Sequence, residues 1–444
     1  MQISKRSLLL VIFDLLSIAT AYLFGCLLQL GFHNLRSAYS PFLYFALFIF
    51  PILFFIFDLY YPFKYFKTAQ VFIEVVFSVS LGMMACAALI YMDRSFTLPR
   101  FAFLYSTLLL VPLILVSRAI YDAIFHSRYF NKRVLIFGTG TLAWEIAKAI
   151  CATPHSGIDV VGFVYGSMKP AANSKMEIPV LGAGSELPGL IEKFKIHYVI
   201  LALESGEEAT QGKELSMLVK HRSAYVVSAL YLFEKLEGLI PYKFFDSYYL
   251  LELSSRVKMR PYLRFKRFVD LIFSALLLII LSPVFLLTFF ILSFQGPGNI
   301  FFIQERIGKD RRPFRLIKFR SMGEIKRGKQ TITGFGRWMR RYRIDEMPQL
   351  VNVLRGDMSL IGPRPEIPYF VKRSLKRIPF YDVVFSVKPG LTGWAQVKFG
   401  YTTSVKDYDR KFCYNLYYLK NISTTLDLVI LLKTIRVVLL GAGK

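Results

Sequence analysis

The sequence predicts a three-part membrane protein: a bundle of four membrane-spanning helices over residues 1–117, an α/β doubly wound domain over 118–255, and a basic α/β domain over 256–444 that opens with a further apolar segment. Composition supplies the first observation. The 444 residues are 54% hydrophobic and 16% aromatic, too apolar for an ordinary soluble chain. Charge supplies the second. Residues 1–255 carry 21 Lys and Arg against 18 Asp and Glu, a net +3, and residues 256–444 carry 35 against 12, a net +23; together these make the +26 of the whole chain. An excess of cations confined to one part suits anionic headgroups, phosphorylated substrates or nucleic acid, and the adjoining apolar segment favours the first two. The third observation is a glycine-rich turn between a strand and a helix after the apolar bundle.

Four apolar runs, Leu8 to Leu30, Phe42 to Tyr60, Val71 to Met92 and Phe101 to Val116, lie near the ~20 residues needed to cross a bilayer. The first is long, lacks an obvious small-residue cleavage site and is followed by three more, which argues against a cleaved leader. Lys5, Arg6, Lys64, Lys67, Arg118, Arg128, Lys132 and Arg133 fall on one side of these spans, and Arg36, Arg94 and Arg100 on the other. The positive-inside tendency then puts both ends of the bundle in the cytoplasm. Asp14, Asp58 and Glu74 lie in or beside the runs and read as snorkelling or bundle-facing polar groups without a chemical role. Cys26, Cys86, Cys151 and Cys413 have no metal-ligand spacing and read as structural thiols.

Arg133 to Phe137 reads as a buried strand running into Gly138, Gly140 and Ala143, a GxGxxA pattern that opens the helical stretch Leu142 to Ala152. Further strands at Val160 to Val164 and Tyr198 to Leu203, with a helix near Leu187 to Phe194, complete a Rossmann-like module. Gly138 and Gly140 form a candidate nucleotide loop, because backbone amides at a helix N-terminus hold phosphate. Tyr165 and Gly166, however, stand where a ribose-binding acid is expected for NAD, which favours a regulatory or structural module over a working dehydrogenase. Gly138 also fits a plain tight turn.

Leu271 to Phe294 is uncharged and about 36 Å long as a helix. Basic residues flank it on both sides, Arg256 to Arg267 before and Arg306, Lys309, Arg311 and Arg312 after, so a single crossing leaves one cluster on the wrong face. Ser282 and Pro283 interrupt the run, and an internal proline bends a helix. A re-entrant hairpin over 262–294 satisfies both facts; a fifth span with a proline kink is the alternative.

Beyond it, Lys318 and Arg320 sit two apart, so on a strand they would share a face and could clamp a diphosphate; a solvated basic stripe is the plainer account. Arg340 and Arg341 precede the adjacent acids Asp345 and Glu346, after which Met347 to Leu354 reads as a short helix with Pro348 in its first turn. Asp345 is a plausible N-cap there. The same carboxylates suit a divalent cation bridging phosphate oxygens, or covalent attack on phosphorus. Gly362, Pro363, Arg364 and Pro365 form a rigid turn that would fix one guanidinium, a bidentate phosphate holder.

The apolar segment with Ser282 and Pro283, QERIG, KFRSM, RIDEMPQLVNVLRGDMSLIGPRPE, KPGLTGWAQV and YNLYYLKN, taken together over Lys266 to Leu440, resemble the bacterial sugar transferase family of monotopic polyprenyl-phosphate phosphoglycosyl transferases. The four spans and Rossmann-like module are similar to the large members that initiate exopolysaccharide, capsule or O-antigen assembly. The resemblance implies a monotopic α/β catalytic domain with a re-entrant membrane helix turned at Ser282 and Pro283. It implies transfer of a sugar 1-phosphate from a UDP-sugar to undecaprenyl phosphate with release of UMP. It assigns Asp345 as nucleophile and Glu346 as its partner in holding Mg²⁺, and places Lys318, Arg340 and Arg364 where relatives would bind phosphate; Arg320, Lys388 and Gln396 are further substrate-binding candidates. The implied partners are undecaprenyl phosphate, a UDP-sugar and membrane lipids, and no nucleic acid; a homodimer is compatible with this. The implied place is the bacterial inner membrane, with the catalytic domain on the cytoplasmic face. Asn415 and Lys388 depart from the family pattern, Asn415 where many relatives carry an acid and Lys388 where an arginine often precedes Pro-Gly, and the linker Gly323 to Thr333 is short and basic. Two other classes fit parts of the sequence: a membrane-bound NAD-dependent nucleotide-sugar dehydratase or oxidoreductase working through the GxGxxA module, and a noncatalytic polysaccharide-assembly protein. A conventional glycosyltransferase would release UDP instead of UMP.

Overall fold

The computed structural model describes residues 5–30, 41–57, 59–60, 69–92, 100–125, 132–152, 157–166, 178–203, 224–245, 252–253, 262–295, 298–326, 329–399 and 405–441. Arg36, Asp58, Lys64, Lys67, Arg94 and Arg128 lie outside the described residues. The chain forms two compact units, Met1–Ala229 and Leu230–Lys444.

In the first unit the apolar runs become the helices Lys5–Leu30, Pro41–Ile56, Ala69–Met92 and Arg100–Phe125. Three of them contain stretches of 22 to 24 residues long and apolar enough to cross a membrane, and the helix Pro41–Ile56 is shorter. The last helix continues nine residues beyond the end expected at Val116, and this extra length buries Arg118, Tyr121 and Asp122. Arg118 donates to Asp14 on the first helix at 2.6 Å, with side-chain exposures of 1% and 0%. Arg118 is therefore an interior residue of the bundle and not a flanking charge. Its guanidinium also lies 5.9 Å from the Tyr60 ring centroid. A carboxylate and a guanidinium in an apolar bundle are tolerated only as such a pair, because either alone costs several kcal/mol, on the order of 3–5.

The same unit holds a five-stranded parallel sheet made of β1 (Lys132–Phe137), β2 (Ile158–Tyr165), β3 (Val180–Ala183), β4 (Tyr198–Leu201) and β5 (Tyr225–Ser228), in the order β3-β2-β1-β4-β5. This is the doubly wound order, with β1 at the point where the winding reverses. Its core is built from Leu135, Phe137, Val164 and Val199 of the sheet against Leu187, Leu190 and Ile191 of the helix Leu187–Phe194. β1 runs through Gly138 into the helix Thr141–Cys151, whose N-cap is Gly140. Gly138 has φ +121°, and a Cβ there would sit 2.3 Å from the Ala202 carbonyl oxygen. A side chain is excluded twice over, by backbone conformation and by the neighbouring strand end. Gly138→Ala is expected to destabilise this unit by about 1–3 kcal/mol, read as a lower thermal midpoint of the purified chain; an unchanged midpoint would refute the close approach.

The second unit begins at Leu230, within the helix Ala229–Glu237, and continues with the helices Tyr262–Ile280 and Ser282–Phe294, which meet at a 61° bend. Backbone hydrogen bonding continues through the bend, with Leu281 N–H donating to Leu277 and Phe285 N–H to Leu281. Pro283 has no N–H for the Ile279 carbonyl, which instead accepts the Ser282 hydroxyl at 2.7 Å. Ser282 and Pro283 thus make the break together. Outward from this pair point Phe268, Ile272, Phe273, Ile279, Leu287 and Phe290, all exposed. A soluble surface does not tolerate so continuous an apolar array.

The hairpin of β6 (Phe301–Ile307) and β7 (Pro313–Phe319) follows, then β8 (Met322–Lys326) and β9 (Lys329–Ile332), then β10 (Ser359–Ile361) paired in parallel with β11 (Gly390–Thr392). Helices Gly334–Arg341, Gln349–Arg355, Pro368–Arg377, Trp394–Phe399, Val405–Lys420 and Thr424–Leu439 complete the unit.

Candidate active site

Asp345 and Glu346 lie in the 3-10 turn Ile344–Glu346, between the helices Gly334–Arg341 and Gln349–Arg355. The turn is entered through Arg343, a non-glycine residue at φ 59°. A left-handed arginine costs about 1 kcal/mol or more and persists only where its surroundings demand it. The turn then feeds directly into the next helix, with Met347 N–H donating to Ile344 and Leu350 N–H to Met347. The N-cap of that helix is Pro348, and no side chain caps it. Asp345 is consequently not the N-cap that the sequence suggested, and its carboxylate is left for another purpose.

Ile344 and Met347, on either side of the acid pair, pack into one apolar cluster with Leu292, Phe319 and Met339. Phe285 joins it with its ring centroid 4.8 Å from that of Phe319, and Phe301 stacks on Phe319 at 5.5 Å. Leu292 and Phe285 belong to the bent helix pair. The acids are therefore seated on the apolar core that anchors that pair.

The two carboxylates, adjacent in sequence, have opposite environments. Glu346 is 6% exposed and ringed by three cations: Lys318 Nζ at 3.3 Å and Arg364 at 3.1 Å share Oε1, and Arg343 reaches Oε2 at 3.1 Å. Burial alone would disfavour its charge, but Arg364, Lys318 and Arg343 outweigh it and hold the carboxyl far below the usual glutamate range. Asp345 is 8% exposed, and among the described residues its carboxylate makes no hydrogen bond or ion pair. Burial and the neighbouring Glu346 charge raise its pKa, against the lowering pull of Lys318, Arg340 and Arg343. Lys318 is itself lowered by burial and by Arg364, partly offset by the two acids.

Long-range backbone contacts bring these groups together. Lys318 sits on β7, which is tied to the helix Gln349–Arg355 by Asn352, a fully buried amide that accepts from Ile317 N–H at 3.1 Å and donates to the Arg315 carbonyl at 2.8 Å. Arg364 is placed by β10, whose continuation at Gly362 donates to Thr392 of β11 at 2.9 Å. A Cβ on Gly362 would come within 2.6 Å of the Lys388 carbonyl oxygen, so only glycine lets the GPRP turn and the KPGLTG segment lie side by side.

The remaining candidates fall in three places. Arg340 donates from Nε to Ser321 Oγ at 2.9 Å on the Asp345 side. Arg320, just past the end of β7, donates to the Leu292 carbonyl at 3.4 Å, at the last turn of the helix Ser282–Phe294. Gln396 and Asn415 line a recess with Arg343 and Arg364, where Tyr381, Tyr408, Lys411 and Glu366 complete the wall. Gln396 donates to the Leu391 carbonyl, and its Oε1 is buried with no hydrogen-bond partner among the described residues. An orphaned acceptor at the edge of a cationic recess suits a hydroxyl or imide donor of a ligand. Lys388 lies in a different recess, with Arg267 and Lys309.

Three participants were not legible as site residues in the sequence. Arg343 was one cation in a basic run, Asn352 an ordinary helical amide, and Lys411 one charge on an amphipathic helix. Nothing local distinguishes them; the β7 partners of Asn352 are 35 and 37 residues away.

The chain's likenesses agree with this geometry. Residues 261–441 match the model of the bacterial sugar transferases, and residues 55–221 match that of a CoA-binding domain. A UDP-N-acetylgalactosamine-undecaprenyl-phosphate N-acetylgalactosaminephosphotransferase of Aeromonas hydrophila is 41% identical over 43% of this chain and 48% of its own length, so the match spans about half of that relative. A UDP-galactose-lipid carrier transferase of Erwinia amylovora is 30% identical over 71% of this chain and 70% of its own. A UDP-glucose:undecaprenyl-phosphate glucose-1-phosphate transferase of Caulobacter vibrioides is 37% identical over 38% and 68%. The extended match to the Erwinia protein runs through both units, and the family's matched segment contains the acid pair with every cation around it: this chain belongs to the bacterial sugar transferase family.

Proposed function

We propose that the chain is an inner-membrane phosphoglycosyl transferase that moves a sugar 1-phosphate from a UDP-sugar to undecaprenyl phosphate. The observation that carries the mechanism is the division of labour between the two acids. Glu346 is ion-paired with three cations, whereas Asp345, one residue away, is buried, makes no ion pair among the described residues, and lies within the field of Lys318, Arg340 and Arg343.

In the first step an Asp345 carboxylate oxygen attacks the β-phosphorus of the donor. The bond from that phosphorus to the oxygen bridging it to the α-phosphate breaks, UMP departs, and the sugar phosphate remains as an acyl phosphate on Asp345. In the second step a phosphate oxygen of undecaprenyl phosphate attacks the same phosphorus. The acyl-phosphate bond breaks, the carboxylate is restored, and the product is the lipid-linked diphosphosugar. Both substrates are anions, so Lys318, Arg340, Arg343 and Arg364 act by holding phosphate oxygens against their mutual repulsion in a site of reduced dielectric.

The donor set is compatible with magnesium, which binds through one or two carboxylates and takes its other ligands from water and substrate phosphates. Among the described residues no cluster of three or more His, Cys, Asp or Glu adds to the acid pair. Glu346, with Asp345 beside it, would hold the ion, which would supply charge neutralisation on the phosphates when bound. The bent pair Tyr262–Ile280 and Ser282–Phe294 is read as a re-entrant hairpin, since its outward apolar side chains need lipid and its last turn adjoins the acid pair's own core. It would present the site to a lipid-borne acceptor at the cytoplasmic face.

The nucleotide released decides the reaction class. Purified chain, undecaprenyl phosphate and a panel of UDP-glucose, UDP-galactose and UDP-N-acetylgalactosamine are expected to yield UMP with at least one donor, and chelation of divalent cations is expected to abolish that release. Release of UDP, or no product from any donor, would overturn the assignment.

A further inference from the structure

The recess that holds Lys388 shares no residue with the one beside Arg343 and Arg364. Its walls come from the first turns of the helix Tyr262–Ile280, through Leu263, Lys266, Arg267 and Asp270, and from Lys309 and Lys388. Lys266 is neutralised by Asp427, and Asp270 accepts from Leu360 N–H at 3.0 Å. Arg267 places its two terminal nitrogens on the carbonyls of Val353 and Leu354, at the C-terminal end of the helix Gln349–Arg355. Lys388 and Lys309 make no hydrogen bond or ion pair among the described residues. At Gly356, with φ +93°, a Cβ would lie 3.3 Å from both Arg267 Nη2 and Lys388 Nζ. The two cationic heads therefore flank a glycine, half-buried and close to each other, with Lys309 near the opening.

The helix-end carbonyls satisfy Arg267, and the carboxylates near Lys388 balance the crowded cations only in part. Burial first, and then Arg267, press the Lys388 pKa down, with Lys309 adding to this and Asp270 and Asp357 only partly offsetting it. Arg267, Lys388 and Lys309 line one recess, beside a helix that also exposes Phe265, Phe268, Leu271 and Ile272.

We propose that Arg267, Lys309 and Lys388 form a second anion site, distinct from the acid pair, that binds a phosphate group. Two sources carry that chemistry: the headgroup phosphate of an anionic phospholipid, or free phosphate. The lipid source rests on the reading of the helix Tyr262–Ile280 as embedded; the site itself rests only on the side-chain arrangement. Cations at the mouth of such a recess would hold the hairpin at headgroup depth by charge-assisted hydrogen bonds.

The test uses the full chain in neutral detergent and reads its thermal midpoint, which does not depend on turnover. Phosphatidylglycerol, phosphatidylcholine and inorganic phosphate are titrated separately at constant ionic strength against wild type, Lys388→Gln and Lys309→Gln, the last replacing an exposed side chain. A rise with phosphatidylglycerol but not phosphatidylcholine, with the half-saturating concentration raised about tenfold in each variant, supports the site with a lipid ligand. The same pattern with inorganic phosphate supports it with a soluble one. Identical titrations of wild type and both variants, or no response to either anion, overturn it. Failure of UMP release alone would leave this result standing.

Discussion

Asp345→Asn is expected to abolish turnover, by about 10⁴-fold or more, while leaving the fold intact. The substitution keeps the side-chain volume and removes only the charge and the nucleophilic oxygen. Among the described residues no hydrogen bond is lost with it, so the rate and the stability separate. The stability effect even has a definite sign. The folded-state pKa of Asp345 is raised above its ordinary 3.8, chiefly by burial. Above the unfolded pKa its ionisation therefore weakens the folded state, and an uncharged amide relieves that cost. The variant should melt at or above the wild-type temperature at neutral pH and should insert normally. The wild-type rate should fall as pH drops through the raised folded-state pKa, because only the carboxylate attacks. Incubation with donor alone should add one sugar phosphate to the wild-type mass and none to the variant. Near-normal turnover in the variant, or a label on the wild-type chain at a position other than 345, would remove Asp345 from the mechanism.

Much of the architecture is legible in local pattern. The helix Leu187–Phe194 falls on its expected span, and β1 leads into the glycine turn and helix as the GxGxxA pattern predicts. Ser282 and Pro283 break the apolar segment where a missing N–H must break it. These features are set within a turn or two of chain. What the sequence conceals depends on distant partners. Arg118 reads as a flanking cation because nothing near it announces Asp14, 104 residues earlier; only the packed bundle pairs them. Asp345 looks like a helix cap because Asp before Pro in a short helix commonly is one, and the 3-10 entry through a left-handed Arg343 is invisible to propensity. The acid pair and its phosphate-holding candidates were readable as residue types in a recognisable order. Their division into a paired glutamate, an unpaired aspartate and a separate Lys388 recess was not, because that depends on how β7, β10 and β11 stack.

Glu346→Gln should fail differently from its neighbour, and the contrast separates chemistry from scaffolding. The glutamine is nearly isosteric but leaves Lys318, Arg343 and Arg364 facing one another without the carboxylate that joins them. Breaking a buried pair on one side costs about 3–5 kcal/mol, because the remaining charges stay desolvated. Glu346 has its folded-state pKa far below its ordinary 4.5, so its stabilisation is fully present above pH 4.5 and is lost as the pH falls below that value. The variant should therefore melt well below wild type at neutral pH and approach it as the pH is lowered past 4.5. Turnover should fall as well, since the cations that meet the donor phosphates lose the anchor that fixes them. Glu346→Asp keeps the charge one methylene back and should recover much of the stability but less of the rate. If the glutamine variant melts like wild type across that pH range, the three cations do not depend on Glu346, and the division of roles between the two acids must be abandoned.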